Sequence, residues 1–148
     1  HESKKRRNRP GIADVTFVLD ASAMIAFLRD EPGADVVDEV LHDSGSQCYA
    51  HALNLCEVFY DFERAADRQF ALQAISDLRQ LGVIEDGNLG PPIWQAAGSL
   101  KASRRRVSLA DCFALELAER VHATILTADH HEFDALAERS LHRIRFIR

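Results

Sequence analysis

Short apolar runs alternate with amphipathic stretches along this chain, a pattern typical of buried strands separated by helices. The first run, Val15–Leu19, is made of β-branched, aliphatic and aromatic residues and predicts a buried strand. Residues 47–50, 83–85 and 123–127 predict three more strands. The closing segment 142–148 alternates apolar residues with arginine, which predicts a strand at a sheet edge.

Helical periodicity fills the intervals between these strands. Ser22 is expected to cap the first helix, which runs to about Asp30 and stops before Pro32. Ser108 is expected to cap a later helix, with Asp111 at the third position as its capping-box partner. The remaining predicted helices cover residues 34–43, about 52–64, 68–81, 91–104 and 133–138. Strands alternating with helices predict an α/β layered fold with a mostly parallel sheet.

Composition is that of one globular domain, with 148 residues of which 47% are hydrophobic. No apolar run approaches the roughly 20 residues that span a membrane, and no signal peptide is recognisable, so we expect a cytoplasmic protein without membrane contact. The three cysteines, Cys48, Cys56 and Cys112, are widely spaced in apolar segments and are expected to be buried reduced thiols.

The net charge of −5 is unevenly distributed. Residues 1–14 read as a basic, disordered arm, and residues 15–148 as the folded domain. The acidic domain is at first sight a poor partner for nucleic acid, which favours basic surfaces.

Four carboxylates are positioned to meet. Asp20 directly follows the first strand, and Asp129 lies just past the strand at 123–127. Glu57 lies two turns into the helix after the second strand, and Asp111 opens a helix. Ligands of parallel α/β sheets bind at the carboxyl edge of the strands, where these acids are expected.

Each acid also has an ordinary structural explanation when taken alone. Asp111 can cap a helix, Asp129 can belong to a turn, and Glu57 can face solvent. Asp20 is the most informative, because core acids are rare without a partner. Together, the four would raise each other's pKa unless a divalent cation bound them. Oxygen ligands favour Mg²⁺ or Mn²⁺ over zinc, and such a site suits hydrolysis of phosphodiesters.

The stretches "VLDASAMIAFLRDEPG", "NLCEVFYDF" and "VSLADCFALELAERVHATILTADHHEFDAL" resemble the PIN-domain nucleases, specifically the VapC-like ribonuclease toxins of toxin–antitoxin pairs. The resemblance covers about residues 15–148. It implies a three-layer α/β/α sandwich, Mg²⁺- or Mn²⁺-dependent endoribonuclease activity, a cognate antitoxin and a homodimer.

By residue, the resemblance implies that Asp20, Glu57, Asp111 and Asp129 are catalytic. Asp20 and Asp111 would bind the metal directly, Glu57 and Asp129 would complete the pocket directly or through water, and Thr127 would orient a ligand.

Basic residues before Ser108 offer a way to hold RNA despite the acidic domain; they are Lys101, Arg104, Arg105 and Arg106. The alternative is that they stabilise a helix C-terminus and face water. His130 and His131 are interpreted as surface residues rather than catalytic bases.

Two other functions stay open at this point. One is a non-catalytic module of the same fold that binds a protein partner, with Phe59, Phe62 or Phe70 in the contact or in the core. The other is a receiver or phosphatase of the α/β class. It fits less well, because Ala21-Ser22 follows Asp20 where a phosphatase of that class needs Asp-x-Asp.

Overall fold

A parallel five-stranded sheet forms the centre of the molecule. The structure is a computed structural model that describes residues 15–139 and 142–148; the predicted basic arm lies outside them. The strands are β1 (Val15–Leu19), β2 (Ser46–His51), β3 (Val83–Asp86), β4 (Thr124–Thr127) and β5 (Ile144–Phe146). Their order is β3-β2-β1-β4-β5, and all neighbours pair in parallel. The predicted edge strand is confirmed as β5.

Helices cover both faces of this sheet. In the described residues they are α1 (Ala21–Leu28), α2 (Ala34–His42), α3 (Ala52–Ala65), α4 (Arg68–Gln80), α5 (Pro91–Ser103), α6 (Leu109–Arg120) and α7 (His130–Glu138). Alternate residues of β1 supply the two cores: Phe17 and Leu19 pack with α1 to α4, and Val18 packs with α5 to α7. The predicted three-layer α/β/α sandwich is therefore confirmed.

The direction of α6 decides where Asp111 lies. α6 is followed at once by β4, so the end of α6 meets the start of that strand. The beginning of α6, with Asp111 in its first turn, therefore lies at the carboxyl edge of the sheet. The same edge carries Asp20 at the end of β1 and Asp129 beyond β4.

Several local predictions were wrong. Asp20, not Ser22, caps α1, because its carboxylate reaches the backbone N–H of Ala23 at 2.9 Å. α1 ends at Leu28, short of Asp30. α7 begins at His130, earlier than about residue 133, because Asp129 caps it.

Side-chain exposure contradicts one expectation, that for Cys56, and separates two of the phenylalanines whose place was left open. Cys48 and Cys112 are buried free thiols, but Cys56 is exposed on α3. Phe62 belongs to the core, whereas Phe70 is 48% exposed. The neighbouring residues in the sequence do not predict the exposure of these side chains, because the face of a helix that is buried depends on which elements pack against it. No helix within the two described ranges is long and apolar enough to cross a bilayer.

Candidate active site

Asp20 is buried and rigidly held at the end of β1. Its Oδ1 accepts hydrogen bonds from Ser22 Oγ (2.7 Å) and Ala23 N (2.9 Å), and its Oδ2 accepts one from Thr127 Oγ1 (2.5 Å). Burial raises the pKa of Asp20 to about 6, although the hydroxyls of Thr127 and Ser22 act in the opposite direction. The neighbouring elements thus fix this carboxylate in one orientation.

Ser22 and Thr127 form a small hydroxyl network across two elements. Their oxygens lie 3.2 Å apart, and Ser22 Oγ also accepts from Ala128 N. Thr127 Oγ1 in turn accepts from Asp129 N at 3.0 Å. The network ties the carboxyl end of β4 to the start of α1, so Asp129 follows the strand in a fixed position.

Asp111 is a second buried acid, in the first turn of α6. Burial, followed by the charges of Asp20, Glu132 and Glu57, raises its pKa to about 10. Its Oδ1 is buried and has no hydrogen-bond partner. A group in this state holds a proton at neutral pH unless a positive charge replaces that proton.

Glu57 points to the same region from the second turn of α3. Burial and then the charge of Asp20 raise its pKa. Like Asp111, it has one buried oxygen without a hydrogen-bond partner, Oε1. Three acids from β1, α3 and α6 therefore lie within electrostatic reach of each other.

Asp129 differs from these three because it is ionised more easily. Burial raises its pKa, but hydrogen bonds from the side chain and backbone of Glu132 outweigh burial, and the result is a lowered pKa. Glu132 carries the opposite shift: burial, followed by its hydrogen bond to Asp129, raises its pKa to about 7. Within this pair Glu132 therefore keeps a proton to higher pH than Asp129 does.

Asn54 joins the segments that carry two of the acids. It is fully buried on α3. Its Oδ1 accepts from Ala21 N (3.2 Å), next to Asp20, and its Nδ2 donates to Ala110 O (3.1 Å), next to Asp111. One amide side chain thus sets the spacing between the two predicted metal ligands.

The residues present fit a hard divalent cation, although they do not form a complete cage. No set of three or more His, Cys, Asp or Glu side chains among residues 15–139 and 142–148 is arranged to hold a metal ion. Mg²⁺, however, commonly binds one or two carboxylates together with waters and substrate oxygens. The unpartnered oxygens of Asp111 and Glu57, beside the buried Asp20, are oxygen donors without a positive partner. This donor chemistry suits Mg²⁺ or Mn²⁺ better than zinc.

Comparison with known protein families gives one match. The PIN domain profile matches residues 17–139, which include all four acids. The chain belongs to the PIN domain family. Members of this family are nucleases. No curated protein is similar enough in sequence to count as a relative of this PIN domain.

Solved structures share the fold of this PIN domain at low sequence identity. VapBC2 from Rickettsia felis, bound to a DNA fragment of its promoter, is 12% identical with a TM-score of 0.65 and covers 89% of this chain and 98% of its own. VapBC-1 from nontypeable Haemophilus influenzae is 16% identical with a TM-score of 0.64, covering 90% and 98%. VapC20 from Mycobacterium tuberculosis, described as a toxin that cleaves the sarcin-ricin loop, is 10% identical with a TM-score of 0.63, covering 80% and 94%.

The predicted basic residues of this PIN domain separate into two kinds. Lys101 Nζ donates to the backbone carbonyls of Arg105 (3.0 Å) and Val107 (2.9 Å), so its ammonium group holds the loop after α5. Arg104 and Arg106, together with Arg105, line a cavity beside α7. Lys101 therefore holds the loop that follows the helix, a role that neither interpretation predicts, while the three arginines line the cavity.

The two histidines lie at the start of α7. His130 stacks on Phe146 with ring centroids 3.9 Å apart and contacts the Asp134 side chain and the Arg148 carbonyl. His131 is exposed. These positions agree with the interpretation of both as surface residues.

Sequence reasoning missed Asn54 and Glu132 as parts of this site. The expected capping box between Ser108 and Asp111 is only half formed: Ser108 Oγ accepts from Asp111 N, but Ser108 N donates to Glu132. A different capping-box spacing could have revealed Glu132, which is the third residue after Asp129, the cap of α7. Asn54 gave no comparable indication, since both its partners are backbone atoms distant in sequence.

Proposed function

We propose that this PIN domain is a metal-dependent endoribonuclease that acts as the toxin of a toxin–antitoxin pair, and that residues 15–148 form its nuclease domain. The observation that carries the proposal is the meeting of Asp20, Glu57 and Asp111 at one sheet edge, with two buried carboxylate oxygens left unpaired. Buried acids in this state are unfavourable for stability, and such clusters are characteristic of functional sites.

Asp20 and Asp111 are the residues proposed to hold Mg²⁺ or Mn²⁺, with Glu57 and Asp129 completing the pocket directly or through water. A bound divalent cation would supply Lewis acidity for attack of water on the phosphodiester and breakage of a P–O bond. The protein's own side chains hold the metal ligands in position. Ser22 and Thr127 keep the Asp20 carboxylate in one orientation.

Three helix N-termini add to this environment. Asp20 caps α1, Asp129 caps α7, and Asp111 lies in the first turn of α6. The partial positive charge of a helix N-terminus favours nearby anions, which here include the carboxylates and an approaching phosphate. The protein thereby supports the binding of an anionic backbone at an edge that is otherwise acidic.

The proposed toxin role is supported by the proteins whose structures are similar to this one. Two of the similar structures are of VapBC proteins, and VapC20 is described as a toxin that cleaves the sarcin-ricin loop. By analogy we propose an RNA substrate, a cognate antitoxin and a homodimer for this chain.

Sequencing of RNA ends after brief induction in cells tests this proposal. The wild type, Asp20→Asn and a control, Asp35→Asn, are compared; Asp35 is an exposed acid in the first turn of α2. New RNA 5′ or 3′ ends are expected with the wild type and Asp35→Asn and not with Asp20→Asn, which keeps a side chain able to cap α1. Purified wild type should cut the same RNA with Mg²⁺ and not with EDTA. Equal cutting by wild type and Asp20→Asn would refute the proposal, and tight binding of a partner without any cutting would favour a non-catalytic module.

A further inference from the structure

An arginine-lined cavity lies beside the acid cluster. It has a volume of about 270 Å³ and is formed by the loop after α5 on one side and by α7 on the other. Its walls include one acid, Glu132, and four arginines. The arginines are Arg104, Arg105, Arg106 and Arg139.

The four guanidinium groups of this cavity are not neutralised by carboxylates of the residues that the structure describes. Within residues 15–139 and 142–148, none of the ion pairs involves any of them. Arg104 Nε is moreover buried without a hydrogen-bond acceptor. Burying a donor without an acceptor is unfavourable, and an anionic ligand would supply the missing acceptor. The cavity is therefore prepared for an anion.

Glu132 forms the wall between the cavity and the acids. Its side chain accepts a hydrogen bond from Ser108 N and contacts Asp129, and it lines the cavity itself. Ser108 lies three residues before Asp111 and caps the same helix. The cavity and the acid cluster therefore share Glu132 and adjoin the start of α6.

We propose that this cavity binds a backbone phosphate of the RNA substrate, next to the phosphodiester that is cut. The inference rests on the proposed nuclease function. Guanidinium groups match phosphate geometry with paired hydrogen bonds, which explains four arginines at this place. Lys101 is a positioning residue here: it fixes the loop that carries Arg104 to Arg106 through two backbone carbonyls.

An acidic peptide has the same charge but fits the surroundings less well. A nucleic-acid strand presents regularly spaced anions, so one phosphate can lie in the cavity while a neighbouring one lies at the carboxylates. A peptide carboxylate in the cavity gives no reason for the cavity to adjoin the cluster proposed to bind a cation.

The affinity for a short single-stranded RNA of mixed sequence, about twelve nucleotides long, tests this inference. The assay does not depend on cleavage. Fluorescence anisotropy in EDTA is followed against salt for the wild type, Arg104→Gln/Arg139→Gln and Arg105→Gln/Arg106→Gln. Arg105 and Arg106 are exposed, so the Arg105→Gln/Arg106→Gln variant is expected to fold. It keeps the inference testable even if Arg104→Gln/Arg139→Gln misfolds. Arg64→Gln/Arg145→Gln is the control with the same charge change at exposed positions outside the cavity.

Each cavity variant is expected to bind at least about tenfold more weakly than the wild type. The slope of log affinity against log salt should fall by about 0.7, the value for one phosphate of a single strand. The control should lose less affinity than either cavity pair. In the wild type, RNA should shift the ¹H–¹⁵N resonance of Arg104 Nε, which gains an acceptor.

Loss of RNA binding in the cavity variants supports the inference, whether or not the wild type cuts RNA. Failure of the wild type to cut RNA would contradict only the nuclease assignment. Unchanged affinity and slope overturn the inference, and RNA cutting by the wild type would then leave the nuclease assignment standing. Tighter binding of a poly-glutamate peptide than of RNA, abolished by the same variants, also overturns it and assigns the cavity to an acidic peptide.

Discussion

Asn54 donates a hydrogen bond from its side-chain amide to the backbone carbonyl of Ala110 at 3.1 Å. Through its other end the same amide accepts from Ala21 N, so it links the neighbours of two predicted metal ligands. The four acids come from separate parts of the chain, and their spacing depends on such links.

Replacing Asn54 should therefore affect both stability and cleavage. Asn54→Leu leaves the buried N–H of Ala21 and the carbonyl of Ala110 without these partners, and should lower the free energy of unfolding by about 2–4 kcal/mol. RNA cleavage should fall even at temperatures where the variant is fully folded. Urea unfolding and cleavage assays measure the two effects. Asn88→Ala, at an exposed asparagine, is the control and should cost under about 1 kcal/mol; equal stability of the two variants would contradict the role of Asn54.

Asp111 should make the metal-free protein less stable as pH rises. Its pKa is raised from 3.8 to about 10, so above pH 4 the folded state binds more protons than the unfolded state. The stability present below pH 4 is therefore lost progressively as pH increases towards 10. Thermal unfolding in EDTA should give a lower Tm at pH 8 than at pH 5 for the wild type and a smaller decrease for Asp111→Asn.

Divalent cations should reverse this effect in the wild type. Mg²⁺ at pH 8 should raise the wild-type Tm, because a cation that binds only the folded state stabilises that state. The Tm of Asp111→Asn should change little, while Asp35→Asn should behave as the wild type. An equal Mg²⁺ response in Asp111→Asn would exclude Asp111 as a ligand.

Thr127 should control the acidic limb of the pH profile. Its hydroxyl lowers the pKa of Asp20 against the larger effect of burial, so Thr127→Val should raise that pKa above its value of about 6. Protonated Asp20 is a poorer metal ligand, and the acidic limb of cleavage should move to higher pH. Thr124→Val makes the same substitution at the other end of β4 and should leave the limb unchanged. A profile of Thr127→Val identical to that of Thr124→Val would contradict the role of this hydrogen bond.

Gly33 should be far less tolerant of a side chain than Gly82. Both have positive φ, of 96° and 100°. A Cβ at Gly33 would lie 2.7 Å from the backbone oxygen of Ile147, whereas one at Gly82 meets nothing within 4 Å. Gly82→Ala should cost about 1–2 kcal/mol for left-handed backbone, and Gly33→Ala about 2–4 kcal/mol because the segment after β5 must also move. Urea unfolding compares them, and equal losses would show that the contact with Ile147 is unimportant.

Much of the architecture was readable in the sequence because it depends on local patterns. The run Val15–Leu19 has the composition of a buried strand, and the alternation of strands and helices led to the α/β/α sandwich. The residue that caps each helix is harder to predict from the sequence. The sequence predicts Ser22 as the cap of α1, whereas Asp20 provides it. Both residue types cap helices, and the backbone geometry decides which of the two does so.

The carboxyl edge was also predictable as the place where the acids meet, because strand direction and connectivity follow from the order of elements. Which polar groups contact them was not. Glu132 and Asn54 act through backbone atoms of Ser108, Ala21 and Ala110, and any residue type offers such atoms. Sequence alone therefore gives no indication of Asn54, and only the capping-box spacing after Asp129 points to Glu132.

The sequence by itself determined the order of strands and helices, the presence of three acids at element ends and that of Glu57 within a helix, since these follow from residue types and short-range periodicity. Only the tertiary structure decided which carboxylate oxygens are paired and which are left without partners, and which arginines gather around one cavity. Those properties depend on distances between segments up to about a hundred residues apart, such as Asp20 and Thr127. Packing of the whole domain sets these distances, and local pattern does not.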